Sequence, residues 1–443
     1  MKDEEICQRL IELSLAEGAT DAVAFVTSSE EGMVRFSNNV VTVYDTLSSH
    51  TGSLFVKVES RKASVDVVDL KQPALRAAAK RAVETARKSP LGDIYAPLPQ
   101  GPFQYRQDLV HQPLMGLEPE TMVDWVGAAI DAGRREGAER MAGSLTGRNV
   151  RYSLATSGGV ASEAEGGSLE LSVRAFGQEG GSGHAVALAS DEREFRPEEA
   201  GAEAGRYARM SAHPTSGEPG EYEAVLGPLV FADIINQVGR MSSAFYVDAG
   251  LSFLTGKLGE RVGSEHFNLE DDPSLARTYG SAPFDAEGLP SQRTTLVERG
   301  ILKSYLHNST TAKKFGTTST ANAGLVAPRP YNLVVGPGTK SLEDLVATVD
   351  DGILVTNNWY LRYQNYSLGD FSTIPRDAMF RVRRGEIVGP IKELRMSENM
   401  LSILRGIEGL TMDRRWVKWW EVTTPTLAPA ALIRKMRFTR SEM

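Results

Sequence analysis

The first 215 residues repeat one order of elements, a helix, several strands and a second helix, and few folds accommodate such a repeat. In each copy a Glu-Gly-Ala triplet follows the first helix, beginning at Glu17 and at Glu136. In each copy the second helix is rich in alanine and is framed by two prolines with the same spacing. The other matching positions are Gly52-Ser53-Leu54 with Gly167-Ser168-Leu169, and Pro73–Pro90 with Pro197–Pro214. We interpret residues 1–215 as a diverged internal duplication.

Periodicity predicts the individual elements of this region. Acidic residues precede an apolar stripe at Ile6, Leu10 and Leu13, and Gly18 ends the helix that they predict. A second helix is expected from about residue 73 to residue 88. Alternating or apolar runs predict strands, and the second copy begins with another helix. The predicted strands are 21–27, 40–44, 54–58 and 63–68, and the later helix is 118–135.

The fold class follows from the rest of the chain. A connector, Gln100–Gln112, separates copies at about 1–99 and 113–215, and the break His213–Glu221 precedes a second region at 222–443. That region begins with a helix whose apolar face runs from Phe231 to Phe245, and then carries hairpins turning at Arg299-Gly300 and Arg384-Gly385. We expect an α+β protein: duplicated helix/strand subdomains with a large antiparallel sheet, then a mostly antiparallel β domain.

Composition excludes several classes of protein. The 443 residues include 41% hydrophobic and 24% charged residues, which favours a globular chain with a substantial core. The net charge of −8 argues against non-specific nucleic-acid binding, which needs a basic surface. No run of 18 apolar residues predicts a membrane span, and the acidic N-terminus is unlike a signal peptide. A single cysteine, Cys7, fits a reducing compartment, so we expect a cytoplasmic protein.

The residues alone give no convincing catalytic constellation. None of the six histidines is followed by Glu, and no two lie within five residues of each other. His266 with Glu270, Asp271 and Asp272 is the nearest approach to a metal site, but a solvated acidic loop is the favoured interpretation. Cys7 lies within an amphipathic helix, where packing is its expected role. A Ser-His-Asp triad stays open, although the sequence has no GxSxG motif.

Two further segments have an ordinary structural interpretation beside a functional one. The glycine-rich run Gly177–Gly183 lacks the Lys-Ser/Thr of a phosphate-binding loop and predicts a turn between strands. The basic and aromatic run Asp413–Trp420 could bind nucleic acid or a partner. Its alternation also suits a strand or an interface stripe, which the acidic composition favours.

One long segment, FDAEGLPSQRTTLVERGILKSYLHNSTTAKKFGTTSTANA, beginning at Phe284, resembles the TldD/PmbA family, also called modulators of DNA gyrase. Shorter motifs extend the resemblance over nearly the whole chain, and the duplication matches the paired subdomains of this family. These motifs are VLGP at Val225, NLVVGPGTKSLEDL at Asn332, DGILV at Asp351, Gly369-Asp370-Phe371-Ser372, and RGEIVGPIKE at Arg384. The resemblance implies an activity, proteolysis or peptide processing, and two possible branches.

The TldD branch is implied to be a zinc peptidase with an HExxxH helix and a cysteine ligand near its C-terminus, whereas the PmbA/TldE branch lacks these ligands. Counted from Val225, the two His positions fall on Asn236 and Met241, and the Glu position falls on Gln237. The cysteine region corresponds to Thr423–Pro429, which contains no cysteine. Asn and Gln are poor zinc ligands and Met is soft, so the resemblance is to PmbA/TldE.

Helix geometry points in the same direction. Positions 236 and 241 are about 140° apart on a regular α-helix, so a site using both requires a distorted turn. Met241 lies on the predicted apolar stripe and Asn236 lies off it. We therefore predict degenerate zinc-motif positions at Asn236, Gln237 and Met241, with no metal, no cofactor and no catalytic residue in this chain.

Three functional hypotheses follow. In the first, the chain is the non-zinc subunit of a cytosolic TldD–TldE-type metallopeptidase complex acting on unfolded or short peptides, and is not catalytic on its own. The expected partner is then an HExxxH-bearing homologue that holds zinc, with no nucleic acid and no membrane. In the second, it is a stand-alone homodimeric peptide-binding or scaffold protein. In the third, it is an enzyme with another site, for example around His266.

Overall fold

A computed structural model of the chain describes residues 1–114 and 117–441. Strands outnumber helices, and the described strands lie in two sheets, the first sheet (residues 21–189) and the second sheet (residues 215–440). This architecture confirms the predicted α+β class. The domain limits 1–215 and 222–443 stay a prediction.

The first sheet is built from two halves with the same order of elements. Bounds of the first half are α1 Asp3–Ala16, β1 Asp21–Ser37, β2 Val40–Val58, β3 Arg61–Val67 and α2 Gln72–Lys88. The connector carries two short elements, α3 Gln107–Val110 and β4 His111–Gln112. Bounds of the second half are α4 Pro119–Arg135, β5 Arg140–Thr156, β6 Ala161–Phe176, β7 Ser182–Ala189 and α5 Pro197–Met210. Short 3₁₀ turns at Gln178–Gly180 and Glu192–Glu194 flank β7, so the Gly177–Gly183 run is a turn between strands as predicted.

The two halves join through β1 and β5, which pair antiparallel along most of their length. Both strands have 17 residues, and Glu30 lies opposite Asn149, which occupies the same place in β5 as Glu30 does in β1. A pseudo-twofold axis therefore passes through this pair. The sheet order is β3-β2-β1-β5-β6, with β7 and the short β4 both on β6.

The helix ends repeat as closely as the strands. Gly18 and Gly137 both have positive φ and follow the first helix of each half, where such a conformation is easiest for glycine. Arg87 donates to the Glu17 carbonyl over 2.8 Å, and Arg209 donates to the Glu136 carbonyl over 2.6 Å. Each half thus ends its first helix with a glycine and an arginine from its second helix.

The strand β2 differs from the prediction of two separate runs at 40–44 and 54–58. It is one strand from Val40 to Val58, because β1 pairs with it throughout. Its outer edge pairs with β3 only from Gly52 onward. Among the described residues, the edge from Val40 to Thr51 has no strand partner on that side, and Val40, Val43 and Leu47 are exposed there.

The second sheet has fourteen strands, mostly antiparallel, and β21 runs through it beside β9, β13, β19 and β20. Its early elements are β8 Thr215–Ser216, β9 Gly220–Leu226, α6 Pro228–Met241, α7 Ala244–Asp248, β10 Leu269–Asp271, β11 Thr294–Glu298, β12 Ile301–Leu302, α8 Ser309–Phe315 and β13 Leu333–Val335. Its later elements are α9 Leu342–Ala347, β14 Asp351–Val355, β15 Trp359–Asn365, β16 Asp370–Ile374, β17 Met379–Arg383, β18 Glu386–Lys392, β19 Leu394–Asn399, α10 Met400–Arg405, β20 Ile407–Val417 and β21 Thr426–Arg440.

Both predicted hairpins of this region form. Arg299-Gly300 turns between β11 and β12, and Arg384-Gly385 turns between β17 and β18. The predicted helix after Gly227 ends at Met241, however, and not at Phe245. Ser242 and Ser243 interrupt it, and Phe245 lies in the separate helix α7, where 38% of the residue is exposed.

The two sheets meet along the face of the first sheet that is opposite to its helices. Ala22, Ala24 and Val26 of β1 pack towards α1 and α2, so the alternating residues Val23 and Phe25 face the other way. Phe284 of the FDAEG motif packs among these residues, and its ring lies 5.6 Å from that of Tyr152. None of the described helices is long and apolar enough to cross a membrane.

Candidate functional site

Helix α6 carries the three predicted motif positions, and it is buried on nearly every side. Pro228 at its start supplies the backbone angle of a first helical turn, and the apolar run that follows packs in the largest core of the protein. Asn236 is also buried, with 5% of the residue exposed. Asn236 is thus buried although it lies off the apolar stripe, whereas Arg240 on the same side of the helix stays exposed.

Asn236 contacts the segment that the resemblance assigns to the cysteine ligand. Its Nδ2 donates to the Thr424 carbonyl over 2.7 Å and lies 3.4 Å from Thr426 Oγ1. Its Oδ1 accepts from Thr423 Oγ1 over 3.3 Å. The two distant parts of the chain do meet, but they meet through a neutral hydrogen-bond network in which both ends of the amide have partners.

Gln237 lies beside a different group, the buried carboxyl of Asp233 one turn earlier. Asp233 is fully buried, and its Oδ2 accepts from Asn358 Nδ2 over 2.6 Å. Burial raises the pKa of Asp233 to about 7, against the hydrogen bond from Asn358. The sequence predictions did not include Asp233, although a single acid within the apolar run FADIINQV is a signal that could have identified it.

Met241 takes no part in a polar site. It is 1% exposed and belongs to the main apolar core. Asn236 lines a cleft between the two sheets, Gln237 lies beside Asp233, and Met241 packs in the core. The three positions therefore do not converge on one point.

A cleft of about 730 Å³ lies between the two sheets and contains Asn236 in its wall. Residues from both halves of the first sheet form one side, with Phe25 and Thr27 from β1 and Val150 and Tyr152 from β5. The segment Thr423–Pro425 and the loops at 279–286 and 327–331 complete the wall. The cleft therefore lies between helix α6 and the pair of strands, β1 and β5, at the centre of the first sheet.

The residues of this wall do not fit a zinc ion. Zinc sites in proteins use Cys, His, Asp or Glu, and Asn236 and Thr423–Pro425 provide amide, hydroxyl and backbone groups instead. Across residues 1–114 and 117–441, no group of three or more His, Cys, Asp or Glu side chains is arranged to hold a metal ion.

The acidic segment after His266 is not the solvated loop that the sequence predicted. Leu269–Asp271 is a strand, and both Asp271 and Asp272 are buried. Asp271 accepts hydrogen bonds from the backbone N–H groups of Tyr331 and Asn332, each over 2.8 Å. Apolar neighbours and the pairing of β10 with β11 and β13 exclude water here, so these carboxyls anchor a loop, and His266 stays exposed outside them.

The other two sequence candidates have structural roles. Cys7 is fully buried, its Sγ lies 3.3 Å from the Ser153 carbonyl, and burial raises the pKa of its thiol to about 12, so it is a poor nucleophile. In the run Asp413–Trp420, Lys418 bonds Glu170 over 2.6 Å and Arg415 bonds Glu203. This run is thus an interface stripe between the two sheets.

Residues 219–440, half of the chain, match the family model described as the PmbA/TldA metallopeptidase C-terminal domain. The second sheet therefore places the protein in a metallopeptidase class of fold. More narrowly, the chain belongs to the PmbA/TldD family, as its motifs predicted.

Curated relatives agree with this assignment. A metalloprotease of Methanothermobacter thermautotrophicus is 30% identical over 247 residues, which cover 53% of this chain and 52% of the relative. A metalloprotease PmbA homolog of Haemophilus influenzae is 37% identical over 164 residues, which cover 37% of this chain and 35% of the relative. The chain thus matches about half of the length of these relatives or less.

Solved structures match over the full length. A putative modulator of DNA gyrase from Thermotoga maritima has a TM-score of 0.82 at 25% identity, covering 99% of this chain and all of that chain. TldE from Thermococcus kodakarensis has a TM-score of 0.84 at 18% identity, covering 98% of this chain and all of that chain. The second likeness concerns the fold alone.

Proposed function

We propose that this chain is the zinc-free, PmbA/TldE-like subunit of a cytoplasmic metallopeptidase complex that acts on unfolded or short peptides. The observation that carries the proposal is the hydrogen-bond network of Asn236 with Thr423 and Thr424. Peptide hydrolysis by a metallopeptidase needs a metal-activated water and a general base. In this proposal the neutral residues Asn236 and Gln237 occupy positions of a ligand and of the base, and Asn236 lines a cleft that has room for a peptide.

In this proposal an HExxxH-bearing homologue supplies the zinc and the catalytic glutamate. This chain supplies one wall of the peptide chamber and the interface with that homologue. The expected ligand is an extended peptide, which pairs through its backbone with a free strand edge.

The test is hydrolysis of a denatured model protein by this chain, by the homologue and by their mixture. We expect no cleavage by this chain alone, a stable heteromer in the mixture, and cleavage that appears or rises strongly on mixing. A chelator and substitution of the homologue's motif glutamate should each abolish the activity, whereas Gln237→Ala in this chain should not. Elemental analysis of the isolated chain, purified without a metal-affinity step, should find no stoichiometric zinc.

Two outcomes would count against the proposal. Chelator-sensitive cleavage by this chain alone contradicts the division of roles. Failure to bind the homologue favours the second hypothesis, a stand-alone homodimeric binding or scaffold protein.

A further inference from the structure

The lining of the cleft is basic, although the chain as a whole is acidic. Three basic side chains, Arg240, Arg329 and Lys418, line it, and Asp285 is the single carboxylate among its described lining residues. The whole chain, in contrast, has a net charge of −8. Lys418 is neutralised, because its Nζ lies 2.6 Å from Glu170 Oε2. The charges of Arg240 and Arg329 are the two that could act on a ligand.

Arg240 lies one turn after Asn236 on α6, so both side chains project from the same face of the helix into the cleft. Its guanidinium lies 5.4 Å from the ring centroid of Tyr246, and its Nη2 is 3.4 Å from the Tyr246 hydroxyl. Within the described parts of the chain, no carboxylate forms an ion pair with it. The tyrosine orients the guanidinium and leaves its charge uncompensated.

Arg329 is held in the same manner from the other wall. Its guanidinium lies 5.0 Å from the ring centroid of Tyr331. The described residues contain no carboxylate paired with it either. The neighbouring Pro328 carbonyl accepts from Ser243 Oγ over 2.7 Å, and this bond brings the loop beside the end of α6 that carries Arg240.

Asp285 does not offset these charges in the manner of an ion pair. Its Oδ1 accepts from the backbone N–H groups of Glu287 and Leu289, over 2.9 and 3.0 Å, and its Oδ2 accepts from that of Ala323 over 2.9 Å. It is 1% exposed, and its oxygens are therefore turned to the backbone and away from the cleft. The cleft thus presents two oriented guanidinium groups without an acidic partner.

We propose that Arg240 and Arg329 bind a carboxylate of a peptide that occupies this cleft. Guanidinium groups match carboxylates through paired N–H donors, and the aromatic walls at Phe25, Tyr152 and Phe284 suit the remainder of a peptide. Two cations are too few for a nucleic-acid backbone, which needs an extended basic surface. The inference rests on the proposed function for the identity of the ligand as a peptide, and it adds the chemistry that this subunit recognises.

The experiment measures binding of dansyl-labelled peptides, whose label has no carboxylate, to the isolated, metal-free full chain by anisotropy. The probe is a short peptide of alanine, serine and valine in three forms: with a free C-terminal carboxylate, with a C-terminal amide, and with the amide plus one internal glutamate. Loss of every carboxylate should weaken binding about tenfold, since hydrogen bonds to charged groups contribute that much. The internal glutamate form distinguishes a side-chain carboxylate from a peptide end as the source.

Variants identify the groups responsible. Arg240→Gln and Arg329→Gln should each weaken binding of the carboxylate form about tenfold and leave binding of the amide form unchanged. Arg240→Lys should retain part of the affinity because the charge remains. Arg76→Gln, a change to an exposed arginine of α2 that is absent from the cleft lining, is the matched control and should have no effect. Raising the salt concentration should weaken the carboxylate form alone.

Equal affinity for the carboxylate and amide forms, or no binding of any form, overturns the inference. So does a loss of binding in Arg76→Gln as large as that in Arg240→Gln. These results are independent of the hydrolysis test, because they use no partner and no metal. The inference can therefore fail while the subunit assignment stands, and the subunit assignment can fail while the carboxylate site stands.

Discussion

In the second half of the first sheet, α4 and α5 touch backbone to backbone, whereas in the first half side chains separate α1 and α2. A Cβ placed on Gly201 would lie 2.0 Å from the Ala129 carbonyl oxygen, and one on Gly205 would lie 2.3 Å from that of Gly133. When α2 and α5 are aligned on their capping arginines, Arg87 and Arg209, Gly201 and Gly205 correspond to Ala79 and Val83 of α2. Both of these residues are buried. The same plan of elements therefore tolerates two different helix separations.

The two halves also differ in their attachment to the second sheet. The second half is held by polar pairs that cross between the sheets, Arg174 with Asp377, Glu170 with Lys418 and Glu203 with Arg415. The outer edge of β2 in the first half lies open instead. The first half also contacts the second region, through Phe284 and through an ion pair of Asp93 with Lys314 over 3.0 Å, so the two copies differ in their buried polar pairs and in the open edge of β2.

The largest effect should come from breaking the most buried of these pairs. Arg174 makes two hydrogen bonds to Asp377, over 2.5 and 3.2 Å, and the Asp377 side chain has no exposed surface. Arg174→Met should lower the free energy of unfolding by about 4 kcal/mol, because it leaves a buried carboxylate without its partner. Chemical denaturation measures this. The control is Arg148→Met, at an exposed pair with Glu31, which should cost under about 0.5 kcal/mol.

A second prediction tests the helix separation. Gly201→Ala should lower the free energy of unfolding by about 3 kcal/mol, because the new methyl group meets a backbone carbonyl that cannot turn aside. The matched change in the first half, Ala79→Gly, should cost about 1 kcal/mol through helix propensity and lost contacts. Equal costs in the two halves would show that the helix pairs are packed alike.

A third prediction concerns histidines on the two halves. His184 of β7 is buried against Trp359 and Trp419, and burial lowers its pKa to about 4. The unfolded chain binds a proton at this histidine below about pH 6.5 and the folded chain does not, so the free energy of unfolding falls as the pH drops. The loss should reach about 2 kcal/mol between pH 6.5 and 5. Chemical denaturation at several pH values measures the free energy of unfolding. Its decrease between pH 6.5 and 5 should disappear in His184→Asn and persist in His50→Asn, whose ring is half exposed.

The smallest effects should be equal in the two halves. Arg87→Gln and Arg209→Gln each remove a hydrogen bond to the last carbonyls of the preceding helix, and each should cost about 1 kcal/mol or less. Thermal denaturation of both variants gives the comparison directly. A cost confined to one variant contradicts the view that the two caps are equivalent.

Local patterns predicted the repeat, the main helices and the hairpins because each depends on neighbours in the chain. Gly18, Gly137, Arg299-Gly300 and Arg384-Gly385 are signals of that kind, and the structure confirms them. Burial by elements that are distant in the chain could not be predicted from these local patterns. Asp271 and Asp272 look like a solvated loop until β11 and β13 flank them, and Asn236 is buried by contacts with Thr423 and Thr424, which lie far from it in the chain.

The candidate site shows the same limit. The motif positions could be found by counting from Val225, but the partner of Asn236 is Thr424, and only the pairing of β21 with its neighbours brings that segment close. Arg329 belongs to none of the motifs identified in the sequence. Its position beside α6 depends on the bond between Ser243 and Pro328, which joins two loops far apart in the chain.

The pairing of Glu30 with Asn149 has a consequence for the origin of the protein. A unit of helix, three strands and helix that pairs with its own equivalent across a twofold axis is the description of a homodimer. The arrangement therefore implies an ancestral chain of the length of one copy that associated through its β1 edge, before gene duplication and fusion joined two copies in tandem. Fusion released each copy from the requirement of self-complementarity, so that a mutation on one side of the axis no longer appeared on the other. A symmetric surface became an asymmetric wall, and ligand recognition could evolve on it without disturbing the association that had created it.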